Sequence, residues 1–298
     1  MAVASETQKV DLREPAGWRR NKDRIATILM YISFVVVIIP LGFVLFTVIQ
    51  KGASVLGWSF LTTNNIPGYV VPLGTGGIWP AILGSIEITA LATVMAVPLG
   101  LLGAIYTNEY GGRGPLAQVV RFMADVMTGV PSIIMGLFIF SIWVLHFGYS
   151  GLAAAFALGC LMLPVVIRSS EEMLKLVPDA LREGSYALGA TKSRVVITVV
   201  LPAAIGGIVS GALLAVARAA GETAPLIFTI LGGVTVANSN VFHGVTTALP
   251  LLIFNNATQP YTGAEARAWG SALTLIAIAF ILMIAARFVT ARFARYSR

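Results

Sequence analysis

Two arginines in this chain stand in apolar sequence, and each has a carboxylate within helical reach. Arg218 follows the run "LPAAIGGIVSGALLAVA", and Glu222 comes four residues later, on the same face of a helix. Arg168 closes the run "ALGCLMLPVVI", and Glu171 comes three residues later. A central arginine costs on the order of 3 kcal/mol to place in a bilayer, and an ionisable group there is a functional candidate by default. The chemistry it offers is oxyanion binding, because the planar guanidinium fork bonds paired oxygens. An anion stripped of water loses tens of kcal/mol in the idealised limit, so the protein must replace its shell. A neighbouring carboxylate keeps the arginine paired when the solute is absent and keeps binding weak enough for release. Two such pairs, one deep and one at the inner mouth, would act as successive stations. Each pair also has a plainer reading. Arg218 and Glu222 would lock two helices, and Arg168 would snorkel to lipid headgroups at a span end.

Between these pairs lies a polar loop, residues 169–199, set between two apolar spans. Pro178 and Asp179 read as a helix start, since proline is tolerated in the first turn and acidic residues favour that end. Gly189 reads as the stop, the residue that takes a left-handed cap without strain. Within this short helix Leu181, Gly184 and Leu188 share one face. Such a stripe suits a protein partner, and equally an interfacial helix lying on headgroups.

Composition sets the solvent. Of 298 residues, 57% are hydrophobic and only 11% are charged, where soluble domains run near a quarter charged. The mean hydropathy is +0.86, and the 30 glycines suit helices that pack closely in lipid. The net charge of +7 sits at segment ends, with no basic stripe interleaved with aromatics, so nucleic acid is not the partner. Cys160 reads as a small packing residue. His146 and His243 lack ligand neighbours, which argues against a metal site. No G-x(4)-G-K-[ST] occurs anywhere, "GTGG" at 74–77 included, so this chain holds no nucleotide in a Walker-type loop.

The spans follow from uncharged runs. Residues 1–24 read as a basic cytoplasmic tail and Ile25–Ile49 as an uncleaved first span. The second runs from about Ala81 to Tyr106 and contains Glu87, read as a helix-to-helix hydrogen bond or a wet-path residue. "NEYGGRGPLAQVVR" returns the chain as a loop. Val126–Ile167 has 42 residues without Asp, Glu, Lys or Arg, too many for one span, so "HFGYSG" at 146–151 divides spans three and four. Asp125 falls near the inner mouth, and Pro131 bends span three. Span five runs from about Val200 to Leu231. "VTTALPLLIF" at 245–254 is too short to cross and reads as an external or re-entrant helix. Span six is Ala268–Ala286, and 291–298 form a cytoplasmic tail. Six spans put 17 of the 20 basic residues inside, with Lys51 and Arg267 outside and Arg218 in the bilayer. That matches the positive-inside rule.

Glu183, Gly189, Leu201 and Pro202 resemble the EAA loop of ABC-importer permeases, E-A-A-x(3)-G-x(9)-I-x-L-P. Gly184 and Ser185 replace the alanines, and Val199 replaces the isoleucine. The phrases "GVPSIIMGLF", "LPVVIRSSEEMLKLVPDALREGSYALGATK" and "AVARAAGETAPLIFT" resemble the PstA-type permeases of phosphate ABC importers over residues 77–290. The resemblance implies an all-α membrane protein of the MetI-like type with six transmembrane helices and a cytoplasmic coupling helix, spanning residues 25–290. It implies a non-catalytic subunit of the plasma membrane with both termini cytoplasmic. It would pair with a related phosphate permease, dock two copies of a cytoplasmic ATPase, and receive phosphate from an extracytoplasmic binding protein. ATP and magnesium would belong to the ATPase, and this chain would need no cofactor. Arg168, Glu171, Arg218 and Glu222 would line the substrate path, and Glu183, Gly184, Leu188 and Gly189 would couple to the ATPase. The alternatives are a stand-alone anion transporter or channel, an ABC permease for another solute, or the sister permease of the same complex. A membrane enzyme would need a nucleophile with its base or a metal cluster, and no such constellation is found.

Overall fold

The computed structural model describes residues 17–65, 76–232, 240–242, 244 and 246–294. The chain forms two compact units, Met1–Ile49 and Gln50–Arg298. Helix α1, Gly17–Ala53, fills the described part of the first unit, and its last turn opens the second. Ile28, Phe34 and Phe43 on it are all exposed, the pattern of a helix whose solvent is lipid. It starts eight residues before the expected span, so Arg20, Lys22 and Arg24 stand on its first turns rather than in a tail.

The described part of the second unit is built of helices and short connections, without strands. After α2 (Trp58–Thr62) comes α3 (Trp79–Ile105), prolonged by a π-helical segment, π1 (Tyr106–Gly111). Then follow α4 (Pro115–Gly129), α5 (Ser132–Ile139), π2 (Phe140–Val144), α6 (Leu145–Phe147) and α7 (Gly151–Lys175). The cytoplasmic loop of the sequence reading holds α8 (Asp179–Ala187), α9 (Lys192–Val195) and the start of π3 (Val196–Val200), which runs into α10 (Leu201–Ala220). The chain closes with α11 (Ala224–Thr229), α12 (Leu249–Ala257) and α13 (Thr262–Ala294). Five helical stretches are long and apolar enough to cross a bilayer, and a sixth crossing is available in the bent pair 115–129 and 132–147.

The centre of the second unit is α7. Of its most apolar window 56% is buried, against 28% or less in the other spans. It packs on α3, α4, α5, α10 and α11, and its inward positions are small: Ala153, Ala154, Ala155, Ala157 and Gly159. Small residues let backbones approach where lipid supplies no hydrophobic drive between helices. Gly100 of α3 lies against Val166, where an added Cβ would stand 2.7 Å from Cγ1. Gly207 and Gly211 of α10, one turn apart, face Met173 and Ser169 of α7. These two contacts fix an antiparallel register in which Met162 is level with Arg218.

Several boundaries differ from the sequence reading. The expected return loop at 108–121 is largely helical, with proline at the first turn of α4. Pro131 does not bend a span but breaks it. Val130 and Pro131 are both extended, because proline bars the helical conformation from the residue before it, and α4 meets the next helix at 105°. Span five ends at Ala220 rather than Leu231, since "GETAP" interrupts it and Pro225 starts α11. The last helix continues to Ala294, past the expected tail boundary at 290. The expected turn at "HFGYSG" is present. Gly148 takes φ +82°, and Ser150 Oγ accepts the Ala153 N–H at 3.2 Å to cap α7. The short helix expected within 245–254 appears as α12, nine residues long and tied to α3 where Leu249 N–H donates to Ser85 Oγ at 2.7 Å. Val245 itself lies outside the described residues, as does His243.

Close packing makes a testable demand at Gly136 of α5. A Cβ there would stand 2.6 Å from Pro225 Cα and 3.0 Å from its carbonyl oxygen. Gly136→Val should destabilise the purified protein by about 1–3 kcal/mol, the usual range for overpacking. Gly42→Ala, with nothing within 4 Å, should leave thermal unfolding in detergent unchanged or slightly raised.

Candidate functional site

Arg168 and Glu171 lie near the end of α7, and the structure surrounds them with more charge than their own spacing suggests. The Glu171 side chain is 0% exposed. Its Oε1 accepts from Arg121 Nε at 2.6 Å and from Lys175 Nζ at 3.0 Å, and Oε2 accepts from Arg168 Nη1 at 3.4 Å. Arg168 also pairs with Asp125 of α4, its Nε donating to Oδ1 at 2.8 Å. Three cations and two carboxylates thus meet where α4 and α7 come together. Burying a carboxylate alone would be prohibitive, and here every cation around it compensates that loss of water. The arrangement carries one net positive charge beside a guanidinium that remains 31% exposed, an electrostatic setting that attracts an anion.

Arg218 and Glu222 form the second site. The Arg218 side chain is 71% exposed and Glu222 is 21% exposed, with Nε to Oε1 at 3.6 Å. Arg218 is therefore not sealed between two helices. It belongs to an exposed strip of α10 with Ser210 and Leu214, and, seven residues after Gly211, it lies on the side of the helix whose earlier turns press Gly207 and Gly211 on α7. Although it sits two residues from the end of its helix, the register with Met162 puts it near the middle of α7 in depth. Arg168 is level with Ala212 in that register, so the two arginines stand about 9 Å apart along the bundle at 1.5 Å per residue. The structure does not bring the two pairs into contact, and it holds them within two turns of each other. Arg218 lies in the last turn of α10, where the helix dipole favours a cation.

The segment expected to couple to an ATPase is an exposed, cleanly capped helix. α8 ends in a Schellman cap, with Gly189 at φ +81°, its N–H on Tyr186 O at 2.9 Å, and Ala190 N–H on Ser185 O at 3.2 Å. The start comes one residue later than expected, with Pro178 as the cap residue. Leu181 and Leu188 are 48% and 90% exposed, Glu183 and Gly184 are exposed, and nothing lies within 4 Å of a Cβ built on Gly184. Arg182, on the other side of the helix, points back into the protein.

Glu87 on α3 does not make the expected helix-to-helix bond with its Oε2, which is buried and without a hydrogen-bond partner. A cavity of about 540 Å³ opens between α3, α10 and α13, with Ser85, Thr89 and Thr93 as its polar lining. Lacking a cation, it does not suit an anion. Sequence reasoning missed Arg121 and Lys175 as partners of Glu171. Lys175 was readable, since a glutamate four residues before a lysine is a standard helical pair. Arg121 is 50 residues away and carries no such signal.

Residues 96–295 match the family of binding-protein-dependent transport system inner membrane components. The phosphate transport system permease protein PstA 1 of Mycobacterium tuberculosis (strain CDC 1551 / Oshkosh) is 45% identical over 279 residues, covering 92% of this chain and 91% of that protein. The chain belongs to the PstA-type permeases. The PstA of Yersinia pestis is 39% identical over 286 residues, covering 94% of each. In fold, this PstA-type permease is similar to the inward-facing MetNI methionine ABC transporter, with TM-score 0.59 and 18% identity over 73% of this chain and 94% of that one. It is also similar to a bacterial ABC transporter that imports the acidic polysaccharide alginate, with TM-score 0.63 and 14% identity over 92% and 99%. The PstA-type chain is thus an all-α membrane permease with the ABC-importer fold, and the family match spans both arginine pairs and α8.

The Glu171 cluster sets the first test of the site. Glu171→Gln should leave three cations facing one another and lower stability by about 3 kcal/mol, the low end for breaking a buried pair, because its partners stay partly in solvent. Lys175→Ala, at a side chain 53% exposed, should have a much smaller effect on the same thermal unfolding curve.

Proposed function

We propose that this permease moves inorganic phosphate across the plasma membrane by alternating access, as one of two related permease subunits. Two cytoplasmic ATPase subunits, which hold the ATP and magnesium, supply the energy, and an extracytoplasmic binding protein supplies the phosphate. Both termini face the cytoplasm in this reading. Lys51 and Arg267, the two cations assigned to the outside, stand at one end of the bundle. Lys51 pairs with Glu265 at 3.1 Å, and Arg267 donates to Asn65 at 2.9 Å.

The observation that carries the substrate path is the placement of Arg218: level with the middle of α7, exposed, and about 9 Å from the level of Arg168. An anion leaving Arg218 would reach the field of the Glu171 cluster without a long crossing of bare hydrocarbon. At each station the phosphate oxygens would take donors now engaged by Glu222 or by Asp125 and Glu171. The carboxylates would reclaim those donors when the anion moves on. ATP-driven movement would expose first one mouth and then the other.

The docking reading rests on α8. A side chain built on Gly184 would meet nothing within 4 Å, so that face of α8 is open to a partner. Leu181 and Leu188 offer that partner an apolar anchor, and Glu183 offers it charge.

Labelled-phosphate uptake in vesicles with the assembled complex tests the path. Arg218→Ala and Arg168→Ala should each lower uptake by about tenfold or more, equivalent to losing roughly 1.4 kcal/mol at the limiting step, while the complex still assembles. Normal uptake by either variant removes that arginine from the path. Gly184→Trp and Leu188→Asp should abolish copurification of the ATPase while leaving the thermal unfolding of the permease itself unchanged. Retained copurification would show that the ATPase docks elsewhere.

A further inference from the structure

An exposed helix can transmit force only through what fastens it, and α8 has no buried residue of its own. It packs on α9 and π3, and its polar tie to α7 and π1 is Arg182, only 13% exposed. Arg182 Nη1 donates to Val177 O at 2.6 Å and Asp179 Oδ1 at 3.0 Å, and Nη2 donates to Leu174 O at 2.9 Å and Glu109 Oε1 at 2.9 Å. One side chain therefore ties α8 to the end of α7 and to π1. Glu109 is 5% exposed and is held in turn by the Asn108 amide at 2.7 Å.

The π1 segment is gripped a second time, by a different helix. Arg121 of α4 donates Nη2 to Thr107 O at 2.7 Å, Nη1 to Gly112 O at 2.8 Å, and Nε to Glu171 at 2.6 Å. A π segment is rare and marks functional sites more often than ordinary helix does. Here its backbone oxygen at Thr107 is taken up by a guanidinium. The two arginines thus close a continuous polar linkage that runs from α8 through Glu109 and π1 to Arg121, and from there to Glu171 on α7. It ends on the cluster that contains Arg168. A guanidinium holds its donors in a fixed planar fork and so ties several elements at set angles, whereas a lysine ammonium rotates freely on a flexible stem.

We propose that Arg182, Glu109 and Arg121 form the linkage that converts a displacement of α8 into joint movement of α3, α4 and α7, with Arg182 and Glu109 as positioning residues for energy coupling. The proposal rests on the reading of α8 as the ATPase docking helix. In it, α8 does not swing independently on its two short connections. A shift of α8 carries Glu109 with it, pulls the π1 end of α3, and through Arg121 bears on the charge cluster around Glu171. Opening of the inner mouth is then mechanically tied to the motor.

The test uses the full complex, with ATPase and binding protein, in proteoliposomes where ATP hydrolysis and labelled-phosphate uptake are measured together. Glu109→Gln keeps the shape and removes the charge, and Arg182→Lys keeps the charge and removes the fork. Both should assemble and retain basal ATP hydrolysis, while phosphate moved per ATP falls about tenfold, within the range of a coupling between two sites. A wild-type ratio in both assembled variants overturns the linkage. Failure of Glu109→Gln to assemble overturns it too, since the pair would then serve folding alone. A wild-type complex that hydrolyses ATP and moves no phosphate overturns the functional reading instead, which keeps the two failures distinct.

Discussion

A carboxylate that no solvent reaches must be answered by cations, and Glu171 is the point where the structure meets that demand. Arg121, Arg168 and Lys175 all converge on it. Removing water from such a group is costly enough that its partners are dictated rather than optional. The consequence is spatial. α4 must lie where Arg121 can reach α7, and π1 must lie where the rest of the Arg121 guanidinium can find carbonyls. Charge thereby sets the arrangement of helices at this end of the bundle, where apolar packing alone would permit sliding.

Deeper in the bundle the ordering principle changes from charge to size. Gly100, Gly207 and Gly211 bring α3 and α10 against α7 at distances a side chain would forbid. In a bilayer such contact is the main source of helix association, since lipid and leucine are equally apolar. Pairing two glycines with Met173 and Ser169 also sets register, and register is what places Arg218 near the middle of α7. The depth of a charged residue is therefore controlled by glycines two and three turns earlier on the same helix.

Much of this was legible in the chain. Periodicity and caps located α8 to within one residue at its start and correctly at Gly189, because capping chemistry is local. Uncharged runs gave the crossings, and the glycine turn at 148 divided two of them. Spacing of three and four found both arginine–carboxylate pairs. What the sequence hid was non-local or geometric. Arg121 and Glu171 are 50 residues apart, and Arg182 and Glu109 are 73 apart, so no helical period links them. The 105° elbow at Pro131 looked like a kink because a proline signals a break without its angle. Span five was drawn too long because hydropathy continues across Gly221 and Pro225 while the helix does not.

The open face of α10 has one more consequence. A guanidinium level with the middle of α7, which its own chain leaves 71% uncovered, must be met by water or by another polypeptide, since acyl chains offer it nothing. Insertion of a solitary copy would therefore thin or wet the surrounding leaflet, at a penalty of about 3 kcal/mol.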